Sequence, residues 1–434
     1  MIRISRNSHL FIAIFMLGSL AIFTSCNLLQ LSSTTTTTSN TSSLRLYDPA
    51  HNELHPDFVI YHSGVDESTL YFRLLVKELL FNQANAETRD QSRVKLTYEL
   101  YSSYSEQVMD QRGEHDFVIN KDKIRDNYIG SVKIDTEEGK SYLLKVTITD
   151  QLRQLSSIRM ILLDRFNPKS QQNFLLVNYP GSEVAFERFF YNTETFRVVT
   201  RNPPQSSMRV SYFKPRDEIP KPPYYTGESL AIDIEPDSIW TIQNVSQNVF
   251  RFENEGVYQL YPNQSSMNGV YGANFGNTYP QVQKTKQMIP PIQYIATADE
   301  FKKISEASDT KKAVDDFWLD RGESFAIGRE LIRVYYTRVV FANLYFSSDR
   351  HGWLTDRGMI YVLMGPPDLV NRSETGEAWI YKQSDTNQKY TFEFYLASDP
   401  IKGYEFVLKR SENHRMPWNM AVKSWREGKI FSLQ

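Results

Sequence analysis

The spacing of apolar residues changes once along this chain, near Pro291, and that change limits the folds open to it. Before it, short runs alternate. Val94-Lys95-Leu96-Thr97-Tyr98-Glu99-Leu100-Tyr101 has period two, which turns one face of an extended strand to a core and the other to water. Phe58-Val59-Ile60-Tyr61, Leu70 to Val76 and Tyr142 to Asp150 are similar runs, with turn residues such as Ser63-Gly64 between them. Short strands separated by turn signals predict an antiparallel β-sandwich over residues 44–166. Aromatic residues make up 13% of the chain, and aromatic rings pack well on a pleated surface. A second β-rich region is expected over 167–262. There Arg209 to Phe213 reads as a strand, a proline-rich stretch runs from Pro215 to Pro223, and Val249 to Phe252 with Val257 to Tyr261 reads as a hairpin. Residues 263–290 are rich in Asn, Gly, Gln and Ser, the composition of a loop or linker.

Beyond Pro291 the spacing becomes three and four. Thr297 is placed to cap a helix from Ala298 to Ile304, with Glu300 three residues on as a capping box. Thr310 to Leu319 continues as helix, with Ala313, Val314, Phe317 and Trp318 on one face. Ser324 to Phe346 is the longest helical pattern, carrying Ile327, Leu331, Val334, Tyr335, Val339 and Ala342. Strands are expected after it, at Gly358 to Gly365, Glu377 to Tyr381, Tyr390 to Tyr395 and Tyr404 to Leu408. Helices followed by strands predict an α+β domain over 291–434. The last segment, His414 to Gln434, is either a docking tail or a stretch that packs back on its own domain. The expected fold is thus multidomain, with N-terminal antiparallel β-sandwich modules followed by a C-terminal α+β domain. The string Tyr142 to Asp150 resembles the final strands of immunoglobulin-like modules, which bears on fold and not on chemistry.

The amino terminus addresses the compartment. Arg3 and Arg6 precede an apolar run from Leu10 to Phe23, the layout of a secretory signal. The run is shorter than the roughly 20 residues that span a bilayer. The only cysteine of the chain, Cys26, follows directly after Phe23-Thr24-Ser25. This placement resembles a bacterial lipobox, which implies removal of residues 1–25 and acylation of Cys26. Several acyl chains make a stable anchor. Residues 26–43 hold a Ser/Thr tract, including Thr34 to Thr38, that reads as a solvated tether. One cysteine leaves no disulfide framework and no cysteine-rich metal site. A net charge of −2 gives no support to a nucleic-acid partner.

The densest constellation is Gly352-Trp353-Leu354-Thr355-Asp356-Arg357-Gly358, running on to Gly365-Pro366-Pro367-Asp368. Here the chain resembles the GWxTD-domain family, bacterial envelope proteins of Bacteroidota type. Phe317-Trp318-Leu319-Asp320-Arg321, Glu330 through Arg338 to Phe346, and Glu377-Ala378-Trp379-Ile380-Tyr381 resemble further family elements, so the likeness covers about 291 to 408. The resemblance implies an envelope location and no established reaction, cofactor or catalytic residue. Two readings of the motif stand. In one it is a rigid corner: Gly352 and Gly358 bracket a turn, Trp353 buries its ring, and Thr355 and Asp356 cap backbone N–H groups. Arg357 then pairs with Asp356 or Glu330, and Gly365-Pro366-Pro367 ends a strand. In the other, Trp353, Asp356, Arg357 and His351 form a polar cleft with Glu330 and Arg338, fit for binding or acid–base work. His51, His55 and His62 lie close together in the sequence, but no fourth metal ligand accompanies them. No G-x-S-x-G, H-E-x-x-H or phosphate-loop pattern occurs. The expected function is a non-catalytic structural or interaction lipoprotein of an outer-membrane complex for assembly, secretion or transport. It would face the periplasm, since no acidic residue follows Cys26 before Asp48, although cell-surface display is the other option. An envelope enzyme, or a glycan- or peptide-binding lipoprotein, is the alternative.

Overall fold

The computed structural model describes residues 46–49, 54–84, 86–102, 108–201, 207–227, 235–262, 268–373, 375–383 and 388–433. The apolar leader, Cys26, the Ser/Thr tract and His51 lie outside these residues. Among the described residues the first module has seven strands: β1 (Asp57–Tyr61), β2 (Glu67–Leu75), β3 (Gln91–Tyr101), β4 (Met109–Asn120), β5 (Asn127–Asp135), β6 (Ser141–Asp150) and β7 (Leu155–Asp164). They form two antiparallel sheets, ordered β1-β2-β5 and β4-β3-β6-β7. The alternation seen in sequence is what closes the sandwich. Leu70, Phe72 and Leu74 from one sheet and Val94, Leu96, Leu144, Val146 and Ile148 from the other bury in one shared core.

The second β region holds β8 (Phe174–Tyr179), β9 (Thr195–Thr200), β10 (Ser207–Phe213), β11 (Ser238–Gln243), β12 (Gly256–Pro262) and β13 (Val270–Asn274). β8 pairs with β9, and a second sheet runs β11-β10-β12-β13. Two expectations are corrected here. Val249 to Phe252 does not form a hairpin with the strand after it. Phe250 makes only an isolated bridge to Phe196, while β12 pairs with β10 and β13. Ring burial wins over ladder pairing: Phe252 stacks on Tyr258 at 4.3 Å and meets Phe196 edge-on at 4.9 Å. Residues 263–290 are also more than a linker, since they contain β13 and a short helix α1 (Thr285–Met288). Gly269 and Gly276, both at positive φ, supply the turns that the composition signals, yet Val270, Tyr271 and Ala273 between them bury as sheet. Tyr271, Phe275 and Tyr279 share a core with Ile401 further down the chain, and Gln259 Nε2 donates to the Pro400 carbonyl at 2.9 Å.

The C-terminal domain contains α2 (Ala298–Ser305), α3 (Thr310–Leu319), α4 (Phe325–Phe346), α5 (Asp356–Met364) and α6 (Arg415–Arg426). Its sheet is a meander of β14 (Leu369–Ser373), β15 (Gly376–Lys382), β16 (Lys389–Asp399) and β17 (Gly403–Leu408). Thr297 and Glu300 form the expected capping box on α2. Gly358 to Met364, expected as a strand, is helical. Every residue from Gly358 to Met364 is buried, so no face shows a period, and an apolar run of that length is ambiguous between strand and helix. The cap decides it, because Thr355 accepts from the Gly358 N–H. Consequently Gly365, at φ +84°, closes a helix and not a strand. The tail packs back on its own domain, with Trp418, Trp425, Phe431 and Leu433 all in the domain core. Among the described residues no helix is long and apolar enough to cross a membrane.

Candidate functional site

The corner begins with two close backbone approaches. A Cβ on Gly352 would overlap the Ala342 carbonyl of α4, and one on Gly358 would overlap the Gly352 carbonyl. Both glycines are therefore required by contact, since the turn Gly352–Leu354 and the start of α5 pack directly on α4. Trp353 is buried; its N–H donates to Asn343 Oδ1 at 3.3 Å and its carbonyl accepts from the Tyr294 hydroxyl at 2.7 Å. The Thr355 hydroxyl donates to the Gly352 carbonyl at 2.8 Å while accepting from the Gly358 N–H at 3.0 Å. One side chain thus closes the turn and caps the helix.

Asp356 and Arg357 do not pair with each other. Asp356 sits in the first turn of α5, where a carboxylate is favoured by the helix dipole. It accepts from the Leu408 N–H at 2.8 Å and from Arg410 at 2.6 and 3.1 Å, tying the helix to the end of β17. Arg357 points the other way. Its guanidinium lies 4.0 Å from the Phe406 ring centroid and 5.0 Å from that of Phe346, with Glu377 at 3.7 Å.

Glu377 is the centre of the site, and the sequence did not single it out for a role. Its side chain is fully buried, yet it accepts from Arg372 Nε at 2.8 Å, Trp379 Nε1 at 2.9 Å and the Tyr47 hydroxyl at 2.9 Å. Burial alone would raise its pKa. The charges of Arg372 and Arg357, with the hydrogen bonds from Trp379 and Tyr47, outweigh burial and hold the carboxyl below its ordinary value. Burial raises the Tyr47 phenol, so it stays protonated. Arg372 also donates to the Met160 carbonyl of β7 at 3.1 Å, which links the first sandwich to this cluster. A legible signal existed: Glu377, Trp379 and Tyr381 share one phase of a strand, so two aromatic residues mark that face as buried.

The cleft imagined from sequence is not assembled. Glu330 is exposed on α4 and pairs with Arg333 at 2.7 Å. Arg338 is half-buried at the far end of α5 from Asp356, where it donates to the Leu363 and Phe431 carbonyls at 2.9 and 2.8 Å and lies over Trp425. Burial lowers its pKa to about 10, so it remains charged at neutral pH. His351 packs on Phe275 and Tyr279, and burial lowers it to about 4. Gly365 lies against the Arg338 guanidinium and its carbonyl accepts from Tyr381, while Asp368 takes the Lys382 N–H at 2.7 Å. Pro366 continues the break after α5. With His51 outside the described residues, the other two histidines do not converge: His55 pairs with Glu78, and His62 is buried against Ser68 and the Asp164 carbonyl. Among the described residues no group of three or more His, Cys, Asp or Glu is placed to hold a metal ion.

Beside Glu377 a cavity of about 440 Å³ opens between the first sandwich and the C-terminal sheet, lined by Leu143, Met160, Leu162, Arg372, Leu396 and Tyr404 among others. A family model described as the GWxTD domain matches residues 256–427. That span starts at Gly256, so the domain takes in β12 and β13 as well as the helices. No curated protein matches the chain.

Proposed function

Residues 256–427 make this chain a GWxTD-domain protein, and we propose that it is a lipoprotein acting as a non-catalytic interaction component of a cell-envelope complex. The reading places it on the outer membrane through acylated Cys26, facing the periplasm, in assembly, secretion or transport of macromolecules. The observation that carries it is how the motif spends its polar groups. Thr355, Asp356 and Arg357 are all engaged by Gly358, Arg410, Leu408 and Glu377 within the domain, so the motif is a corner that shapes a surface. The β modules ahead of it add further surface, and the signal around Cys26 supplies the anchor.

The test is co-purification from gently solubilised envelopes, with a fatty-acid label on the chain. The expected result is acyl label that disappears in Cys26→Ser and an envelope protein recovered in fixed stoichiometry with the chain. A labelled chain that runs as a free monomer counts against an interaction role. A chain without label counts against the anchor.

One observation favours the second reading, a ligand-binding lipoprotein or an envelope enzyme. The cavity beside Glu377 has the size of a small-molecule site and sets Arg372 and Tyr404 among apolar side chains. Ligand-dependent stabilisation of the purified chain by glycan or peptide fragments distinguishes it.

A further inference from the structure

Leu46 and Tyr47 precede the first sandwich in the chain, yet they belong to the core of the C-terminal domain. After the described residues 46–49 the next is Leu54, which is buried in the core of the sandwich. Between these positions the chain leaves one module for another. The Tyr47 ring lies 4.9 Å from Phe346, 5.2 Å from Trp379 and 5.6 Å from Tyr345, ring centroid to centroid. Its hydroxyl donates to Glu377 at 2.9 Å and accepts from Arg372 at 2.9 Å and Arg357 at 3.4 Å. Its carbonyl accepts from the Tyr361 hydroxyl of α5 at 2.9 Å. Both the side chain and the backbone of one residue are therefore read by groups from α4, α5, β14 and β15. The hydroxyl donates one hydrogen bond to the carboxylate and accepts two from guanidinium groups, a set of contacts that phenylalanine, leucine or tryptophan cannot make.

We propose that this cluster is a socket whose ligand is the chain's own N-terminal arm, Leu46-Tyr47. The arm fills the socket in cis and fixes the GWxTD domain at the point where the tether meets the body. The tether end of the proposal rests on the lipid-anchor reading above. Under it, the first described residues after the tether, Leu46 and Tyr47, enter the body at the C-terminal domain and not at the sandwich that follows them in sequence. The socket itself does not depend on that reading.

The test uses the full chain carrying Cys26→Ser, so that lipid is not involved. The probe is a fluorescent peptide of residues 43–50, Ser-Leu-Arg-Leu-Tyr-Asp-Pro-Ala. The socket is emptied by Leu46→Ala with Tyr47→Ala. The emptied chain is expected to bind the peptide at least ~10-fold more tightly than the intact chain, whose own arm blocks the site. A peptide carrying Tyr47→Ala is expected to bind neither. Equal binding to the two chains, or no binding to a folded emptied chain, overturns the proposal. Should the emptied chain not fold, amide exchange in the intact chain decides. The amides of Leu46 and Tyr47 are expected to exchange at least ~10-fold more slowly than in the free peptide, and exchange at the peptide's rate overturns the socket. Acyl labelling of the chain with Cys26 intact is read separately, so a missing label counts against the anchor while the peptide alone decides the socket.

Discussion

The first sandwich and the C-terminal domain bury polar groups in different places. In the sandwich the strand centres are aliphatic and aromatic, and buried polar groups such as His62, Ser68, Thr136 and Asp150 gather at strand ends. In the C-terminal domain a carboxylate sits inside the core, among Trp379, Tyr47 and two arginines. Polar groups at strand ends leave a core that apolar volume alone can fill. A buried ion must be answered by particular partners, because one missing partner leaves an uncompensated charge. The C-terminal domain is therefore expected to be the more sensitive to single polar changes, and the sandwich the more tolerant.

Removing the central charge should separate the regions most. Glu377→Ala leaves Arg357 and Arg372 without their carboxylate and should cost about 3–5 kcal/mol in urea unfolding. Glu114→Ala, which breaks exposed pairs with Arg112 and Lys95 on the sandwich, should leave the unfolding midpoint nearly unchanged. Equal losses would erase the contrast. Backbone crowding gives the next test. Gly358→Ala drives a methyl into the Gly352 carbonyl and should cost about 3 kcal/mol or more. Gly139→Ala in the sandwich meets nothing within 4 Å at φ +78°, so only conformational strain of about 1 kcal/mol is expected.

Acid should affect both regions alike. Burial lowers His62 in the sandwich and His351 in the C-terminal domain to about 4. The unfolded chain takes up these protons below about pH 6.5, while the folded chain does not until about pH 4. Stability is therefore expected to fall between those values, by roughly 3 kcal/mol for His62 by pH 4, and His62→Gln should flatten that fall. The carboxyl of Glu377 is held low, so its contribution persists above its unfolded pKa and fades as pH drops through the folded one. The smallest effect is expected at the cap: Thr355→Ala should cost about 1 kcal/mol, read in the C-terminal transition.

Legibility followed the same division. β2, β3 and β6 could be read because one face meets the core and the other meets water or a partner only in part, leaving period two intact. α2, α3 and α4 kept an exposed face and their N-caps, so 3–4 spacing and Thr297 marked them. α5 lost its period to complete burial, and the strand read there was wrong for that reason. In the candidate site, Thr355 as a cap and Trp353 as a buried ring followed from local chemistry. The partners of Arg357 and Asp356 did not, because Glu377, Tyr47 and Arg410 lie tens to hundreds of positions away and meet only through the fold. Tyr47 carried no signal at all beside a Ser/Thr tract, since nothing local says that an arm will enter a distant core.

The motif's arginine, Arg357, faces the internal carboxylate of Glu377 at 3.7 Å. A double-mutant cycle of Arg357→Ala and Glu377→Ala tests it directly by urea unfolding. Tryptophan fluorescence reads the right region, because five of the six tryptophans lie beyond residue 291. The two changes are expected to be strongly non-additive, with a coupling of about 2–3 kcal/mol. A coupling below about 0.5 kcal/mol, with Arg357→Ala as stable as the parent chain, would contradict this pairing and return Arg357 to an external ligand.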